Sequence, residues 1–321
     1  MFRSMDYIYE VYRERSFTSA AKNLYISQPA LSAAVKKVEA KVGAELFDRN
    51  SSPIALTDAG RAYIDAAERI YAIQKDFVRE LGDLENSRVG KLTVSAATLI
   101  SSLILPRIIM DFSHQYPGVQ IEMTEGPSSE LHDKLLSGEI ELLLDYMFNE
   151  TDYTTYPLIE EHILLAVPAA CELNAQFADE QLSAADIRAG RHLLPDCPTV
   201  DLAPFAQEPF LLLKKGNDMY DRSLELCAAM QFTPRRVFHL DQLMTCYHAV
   251  KAGMGVTFIT DTLPKSNSMS ADVVFYKLPA PQTTRTLYLA HKHGSYLSHA
   301  AQAFIRSAQE FCAEQLFALM P

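Results

Sequence analysis

The first sixty residues carry apolar positions at helical spacing, interrupted by short polar breaks. Met5, Ile8, Tyr9 and Tyr12 recur every three or four residues and predict a first helix with one buried stripe. Ser16 and Thr18 flank Phe17 and offer cap oxygens for a second helix, whose apolar residues are Ala20, Ala21 and Leu24. Tyr25 and Ile26 cross the next turn. Ser27 then suits an N-cap, and Pro29 falls in the first turn of a third helix, where its missing N–H costs nothing. Leu31, Val35, Val38 and Val42 follow as one core-facing stripe. After Gly43, the runs Leu46–Arg49 and Ile54–Leu56 flank Asn50-Ser51-Ser52-Pro53 and predict a short hairpin, or wing.

From Thr57-Asp58 a helix is predicted to about Asn86, with no proline inside it. Ala59, Ala66 and Ile73 repeat by sevens, as do Tyr63, Ile70, Phe77 and Leu84. Two interleaved heptad positions predict a seam between two copies of the chain, in preference to packing on its own domain. At 1.5 Å per residue such a helix reaches roughly 40 Å. Ser87-Arg88-Val89-Gly90-Lys91 reads as a hinge. Beyond it the pattern alternates: strand Leu92–Ala97, helix Leu99–Gln115, strand Val119–Thr124, helix Ser128–Ser137, strand Ile140–Leu144. That βαβαβ order predicts a largely parallel open sheet. Strands continue at Ile163–Val167, Phe210–Leu213, Val237-Phe238 and Val256–Ile259. Helices are expected near Ser183–Arg188, Asp218–Met230 and Asp241–Ala252, and a last one over Leu297–Leu316.

Length and charge sharpen this division. A chain of 321 residues suggests two or three domains, and 48% hydrophobic residues support real cores. The net charge of −11 at first argues against nucleic acid. Residues 1–61, however, hold nine Lys and Arg against seven Asp and Glu, and the remainder holds 20 against 33. Acidity is thus confined to the part that need not touch phosphates. A head so weakly basic implies that two or four heads act together. No segment approaches the ~18 apolar residues of a membrane span, and the N-terminus has no signal-peptide core, so a cytoplasmic protein is expected. Five scattered cysteines without a CxxC fit idle thiols in a reducing compartment.

The third helix carries the most specific chemistry. Its face between the apolar positions holds Gln28, Ser32, Ala33, Lys36 and Lys37: short hydrogen-bonding groups near the N-terminus, cations further along. A helix that reads the major groove needs that order, with small polar groups at base edges and cations near phosphates. Arg49 and the wing tip are placed to touch backbone or minor groove. In the C-terminal region, a ligand in an open α/β sheet would lie beyond the carboxyl ends of strands, over helix N-termini. The candidates there are Thr98, Ser101, Ser128, Lys214 and Gln242; each hydroxyl suits a helix cap equally well. Asp145 and Tyr146 offer a negative lip that would disfavour an anionic ligand. His291, His293 and His299 read as surface histidines, and no metal or cofactor is expected. Gly253-Met254-Gly255 precedes a strand and so makes no phosphate loop; GxSxG, HExxH and P-loop patterns are absent, which argues against an enzyme.

Residues 1–60 resemble the winged helix-turn-helix of LysR-type transcriptional regulators. The resemblance rests on Phe17-Thr18, Ala20-Ala21, Leu24, Ser27-Gln28-Pro29-Ala30-Leu31-Ser32, Glu39, Gly43, Leu46-Phe47-Asp48-Arg49 and Leu56-Thr57-Asp58-Ala59-Gly60. It implies base and phosphate contacts from Ser27, Gln28, Pro29, Ser32 and Arg49, with Lys36 and Lys37 beside them. Ala33 departs from the polar or basic residue common in the family, which shifts specificity toward Gln28, Ser32 and DNA shape. Residues 91–321 resemble, more loosely, the family's two-lobed effector-binding region, similar to periplasmic binding folds. Leu105-Pro106, Tyr116-Pro117, Glu125-Gly126, Gly138-Glu139 and Ala252–Val256 carry that match. The implied organisation is a DNA-binding head over 1–58, a linker and dimerisation helix with hinge over 59–90, a first lobe over 91–160 and 267–321, and a second over 161–266. The implied partners are duplex DNA with approximately two-fold symmetric sites, a small-molecule effector, and a second copy of the chain through the linker helix, with a tetramer also open. The alternative is a small-molecule-binding or processing protein with an accessory DNA-binding head.

Overall fold

The computed structural model describes residues 4–85, 90–266, 271–279 and 283–314. The chain divides into two compact units, with the boundary after Arg79.

In the first unit, α1 (Met5–Glu14) buries Met5, Ile8 and Val11. α2 (Phe17–Asn23) starts where Ser16 Oγ accepts from Ser19 N–H at 3.3 Å. α3 (Gln28–Val42) is capped by Ser27, whose Oγ accepts from Ala30 N–H at 3.3 Å. It ends at Gly43, whose φ of +85° a side chain would oppose. The wing pairs β1 (Phe47–Asp48) with β2 (Ala55–Leu56), antiparallel. α4 (Asp58–Glu85) follows. Gly60 permits its entry, because a Cβ there would stand 2.0 Å from the Leu46 carbonyl oxygen.

α4 corrects the seam expectation in part. Tyr63, Ile64 and Ala67 are buried in the first unit's own core with Leu31, Val35 and Phe47, and Ala59 and Ile70 pack against it. Three of the heptad residues, Ala59, Tyr63 and Ile70, thus face the head. The stripe emerges only beyond them, where Ile73 is 68% and Phe77 58% exposed, joined by Val78 and Leu81. The side chain of Leu84 and most of the expected hinge lie outside the described residues.

The second unit opens with β3 (Gly90–Ala97), α5 (Thr98–Leu103) and α6 (Leu105–Gln115). One helix was expected over the last two. Pro106 lacks an N–H and stands at the start of α6, so the ladder breaks at Ile104 (φ −110°, ψ −56°). β4 (Val119–Gly126), α7 (Ser128–Leu136) and β5 (Leu142–Asp145) complete the βαβαβ unit, with β3 parallel to both neighbours. β6 (Tyr153–Pro168), α8 (Ala184–Arg188), β7 (Pro209–Leu213), α9 (Asp218–Ala229), β8 (Arg236–Leu240), α10 (Leu243–Lys251), β9 (Thr257–Thr260) and α11 (Thr262–Ser266) follow. β10 (Val273–Lys277), β11 (Thr284–Lys292) and α12 (His299–Glu314) end the described chain.

The principal sheet runs β10-β6-β11-β5-β3-β4, with β9 also on β6. It is mixed rather than largely parallel, since β6 and β11 pair antiparallel with each other and with their further neighbours. β10 and β11 carried no alternation that the sequence reading used. β6 changes partners along its length: Tyr153–His162 pair with β11, and Ile163–Pro168 with β9 and β10. Two hydrophobic cores lie on either side of that change. One gathers Leu92, Ile108, Phe112, Leu142 and, from α12, Phe304 and Phe311. The other gathers Phe210, Val250, Phe258, Phe275 and Tyr276. β10 therefore packs with the second core, which moves the return to the first from residue 267 to beyond Leu278.

Candidate nucleic-acid interface and ligand site

α3 turns Leu31, Val35 and Val38 inward, and this sets what its other face can show. Ser27, Gln28, Pro29, Lys36 and Lys37 are exposed, and Ser32 is half-buried. The Ser27 cap consumes one of the free N–H groups of the helix start; the rest of that positive end stays available to an anion. Arg49 is differently placed from the outward cation expected. Its Nη2 donates to Glu39 Oε2 at 2.9 Å, its Nη1 to Ser32 Oγ at 3.4 Å, and its guanidinium lies 5.3 Å from the Phe17 ring centroid. Glu39 is buried and also accepts the Leu46 N–H at 3.0 Å, so one carboxylate joins α3 to the wing. In the sequence Glu39 stands out only as part of the family motif; an acid bordering an apolar stripe is its one local signal. Tyr25 was also passed over. It sits in the turn before α3 with φ +55° and is 96% exposed.

The ligand candidates come together in two pairs of loops. The parallel register of β3 and β4 sets Ala97 beside Gly126, bringing the starts of α5 and α7 to one sheet end. That of β7 and β8 sets Leu213 beside Leu240, bringing Lys214 to Asp241-Gln242. The side chain of Thr98 lies outside the described residues. Ser101 is buried and its Oγ donates to Glu125 Oε2 at 3.0 Å. Lys214 pairs with Asp241 at 2.7 Å. Ser128 and Gln242 head their helices without a side-chain cap bond, Ser128 half-buried and Gln242 exposed. Asp145 makes no lip: it is 4% exposed, contacts His132 Nε2 at 3.2 Å and accepts the Tyr146 N–H at 2.8 Å.

Two charged clusters went unread because their members are far apart in sequence. Arg285 is buried, donating Nε to Glu161 at 2.7 Å and Nη1 to Asp218 at 2.8 Å, with its guanidinium 3.6 Å from the Tyr146 ring centroid. Arg222 Nε also donates to Asp218, at 2.9 Å. On the next residue of β6, His162 meets His192 and Asp261. His291, expected at the surface, is buried, and burial lowers its pKa. The five cysteines are free thiols, four of them buried. Burial pushes Cys227 up to about 11 and Cys312 up to about 12, which keeps both protonated and unreactive near neutrality. No helix among the described residues is long and apolar enough to cross a membrane.

Comparison with known proteins agrees with this geometry. Residues 2–61 match the family model described as "Bacterial regulatory helix-turn-helix protein, lysR family", and residues 85–313 match "LysR substrate binding domain". An uncharacterised HTH-type transcriptional regulator, YcgK of Bacillus subtilis, is 29% identical over 95% of this chain and 93% of its own. The HTH-type transcriptional regulator CfxR of Cupriavidus necator is 26% identical over 99% and 95%. Among solved structures, full-length CbnR complexed with its target DNA superposes with a TM-score of 0.62 at 19% identity, covering 97% of this chain and 99% of CbnR. Full-length OxyR from Pseudomonas aeruginosa gives 0.57 at 25% identity, covering 94% and 97%. These relatives are regulators, which sets aside the reading as a processing protein with an accessory head.

Proposed function

The chain belongs to the LysR family of DNA-binding transcriptional regulators, and on that premise we propose that α3 reads duplex DNA through Gln28 and Ser32 while Lys36 and Lys37 hold phosphates. The observation that carries this reading is the exposed polar edge of a helix whose opposite side is fully committed to the core. Ser27 and Pro29 bring the helix N-terminus to the backbone, where its free N–H groups suit a phosphate. Arg49 acts mainly by position: tied to Glu39 and Ser32, it fixes the wing against the reading helix and leaves its remaining N–H groups for DNA. Two heads on one dimer, joined through the exposed stripe of α4, match a site of two half-sites with approximate two-fold symmetry.

The effector is a polar small molecule held where the starts of α5 and α7 meet. Ser128 supplies a hydroxyl at the first pair of loops, and Gln242 an amide at the second. Ser101 and Lys214 support this site through Glu125 and Asp241 rather than touching the ligand.

The test separates base readers from phosphate holders. Selection of bound sequences from a random DNA pool should show relaxed preference at particular positions for Gln28→Ala. Lys36→Ala should weaken all sequences alike and lower the salt slope by about one unit. A uniform loss for Gln28→Ala would remove it from the base-reading role.

A further inference from the structure

We propose that His162, His192 and Asp261 form a binding site for a divalent transition metal of the zinc class, placed where β6 changes sheet partners. The three residues come from β6, from a 3-10 turn at Arg191–Leu193, and from the residue that follows β9. Their ligand atoms all lie within 4.8 Å of one another. His192 Nε2 is 2.9 Å and His162 Nδ1 is 3.5 Å from Asp261 Oδ2. Around a tetrahedral metal with bonds of about 2.0–2.1 Å, neighbouring ligand atoms stand about 3.4 Å apart. Both Asp261 distances are within about half an ångström of that spacing, and the two imidazole nitrogens, no more than 4.8 Å apart, would have to draw together around the ion. Two imidazoles and a carboxylate are a donor set that favours Zn²⁺ and Ni²⁺ over Mg²⁺ or Ca²⁺, and water would complete the shell.

The surroundings support a cation at this spot. Asp261 is fully buried, and its other oxygen, Oδ1, accepts the His162 backbone N–H at 2.9 Å, which orients Oδ2 toward the imidazoles. His162 Nδ1 is buried and makes no hydrogen bond among the described residues. Glu160 Oε1 stands 3.6 Å from His162 Nε2, the outer-shell carboxylate that orients a ligating histidine and adds a second negative charge. The Lys265 ammonium sits 2.6 Å from Asp261 Oδ2, and its flexible stem would let it leave when a metal enters.

The experiment uses the full-length, tag-free chain stripped with a chelator and titrated with ZnCl₂ and CoCl₂. The expected result is one ion per chain, a rise in Tm, and the intense visible absorption of tetrahedral Co²⁺. His162→Gln, at the solvent-facing edge, should keep the far-ultraviolet dichroism and lower affinity more than about tenfold, the effect that loss of even a supporting group produces. Lys265→Met, which removes the resident cation, should raise affinity and recover Tm when metal is added. The proposal is overturned if the parent chain binds no stoichiometric metal, if only Lys265→Met binds it, or if His162→Gln binds as tightly as the parent.

Discussion

Arg49 holds three partners on its own chain, and the one that matters most energetically is Glu39. Glu39 is buried, so removing its cation leaves a carboxylate short of solvent and of charge. Arg49→Ala should therefore destabilise the head by about 1–3 kcal/mol, besides weakening DNA binding. Urea melts of the variant set against Lys36→Ala, which has no buried carboxylate partner among the described residues, check this. Equal stability in the two would show that Arg49 serves DNA alone. The sequence exposed Arg49 as a cation beside the reading helix. It hid the ion pair, because residues ten apart on a helix and a wing have no fixed spacing. The same blindness applies to His162, His192 and Asp261: the pairing of β6 with β9 sets the first beside the third, and His192 arrives from the separate 3-10 turn at Arg191–Leu193.

At the scale of elements, α4 carries two jobs in succession. Its early turns close the head's core, and its later turns show Ile73, Phe77, Val78 and Leu81 to solvent. Phe77→Glu should leave the head's thermal unfolding unchanged and shift sedimentation toward the monomer. Ile64→Ala, in the core, should cost about 2–5 kcal/mol of head stability. Loss of stability without loss of dimer for Phe77→Glu would reassign the stripe. The heptad spacing announced both halves as one seam, because periodicity cannot say whether a stripe faces a neighbour on the same chain or on another. Caps were plainer: Ser16 and Ser27 sit where their helices start, since a cap depends on a residue and its immediate successors. The break before α6 was also present as Pro106 but was overridden by the apolar pattern. β10 and β11 escaped for different reasons: β10 is five residues at one end of the sheet order, and β11 alternates in burial over 284–289 but turns the charged Arg285 inward.

Across the whole effector-binding unit, β6 serves both hydrophobic cores, and the Arg285–Glu161–Asp218 network sits close to its change of partners. Arg285 is buried with all its charge matched by those two carboxylates. Arg285→Met should cost about 3–5 kcal/mol, because it strands Glu161 as an unpaired buried charge; adding Glu161→Met should recover most of the loss. Chemical denaturation of the parent, single and double variants checks this. A double variant no better than the single would show that the network's value lies in its shape rather than its charge balance. Parallel βαβαβ order was legible over Leu92–Leu144 because each of its first two strands is followed by a helix that must cover it. The mixed character of the sheet was not, since its antiparallel members pair across more than a hundred residues.

Tyr63, Ile64 and Ala67 make the long helix one wall of the chamber that holds the reading helix. Head and shaft are thus cut from a single piece, as bit and stem are in a key. Rotating the stem's first turns would carry the whole bit with it, because the two share one core. Control of such a molecule would act by aiming it, and only secondarily by tightening or slackening its hold.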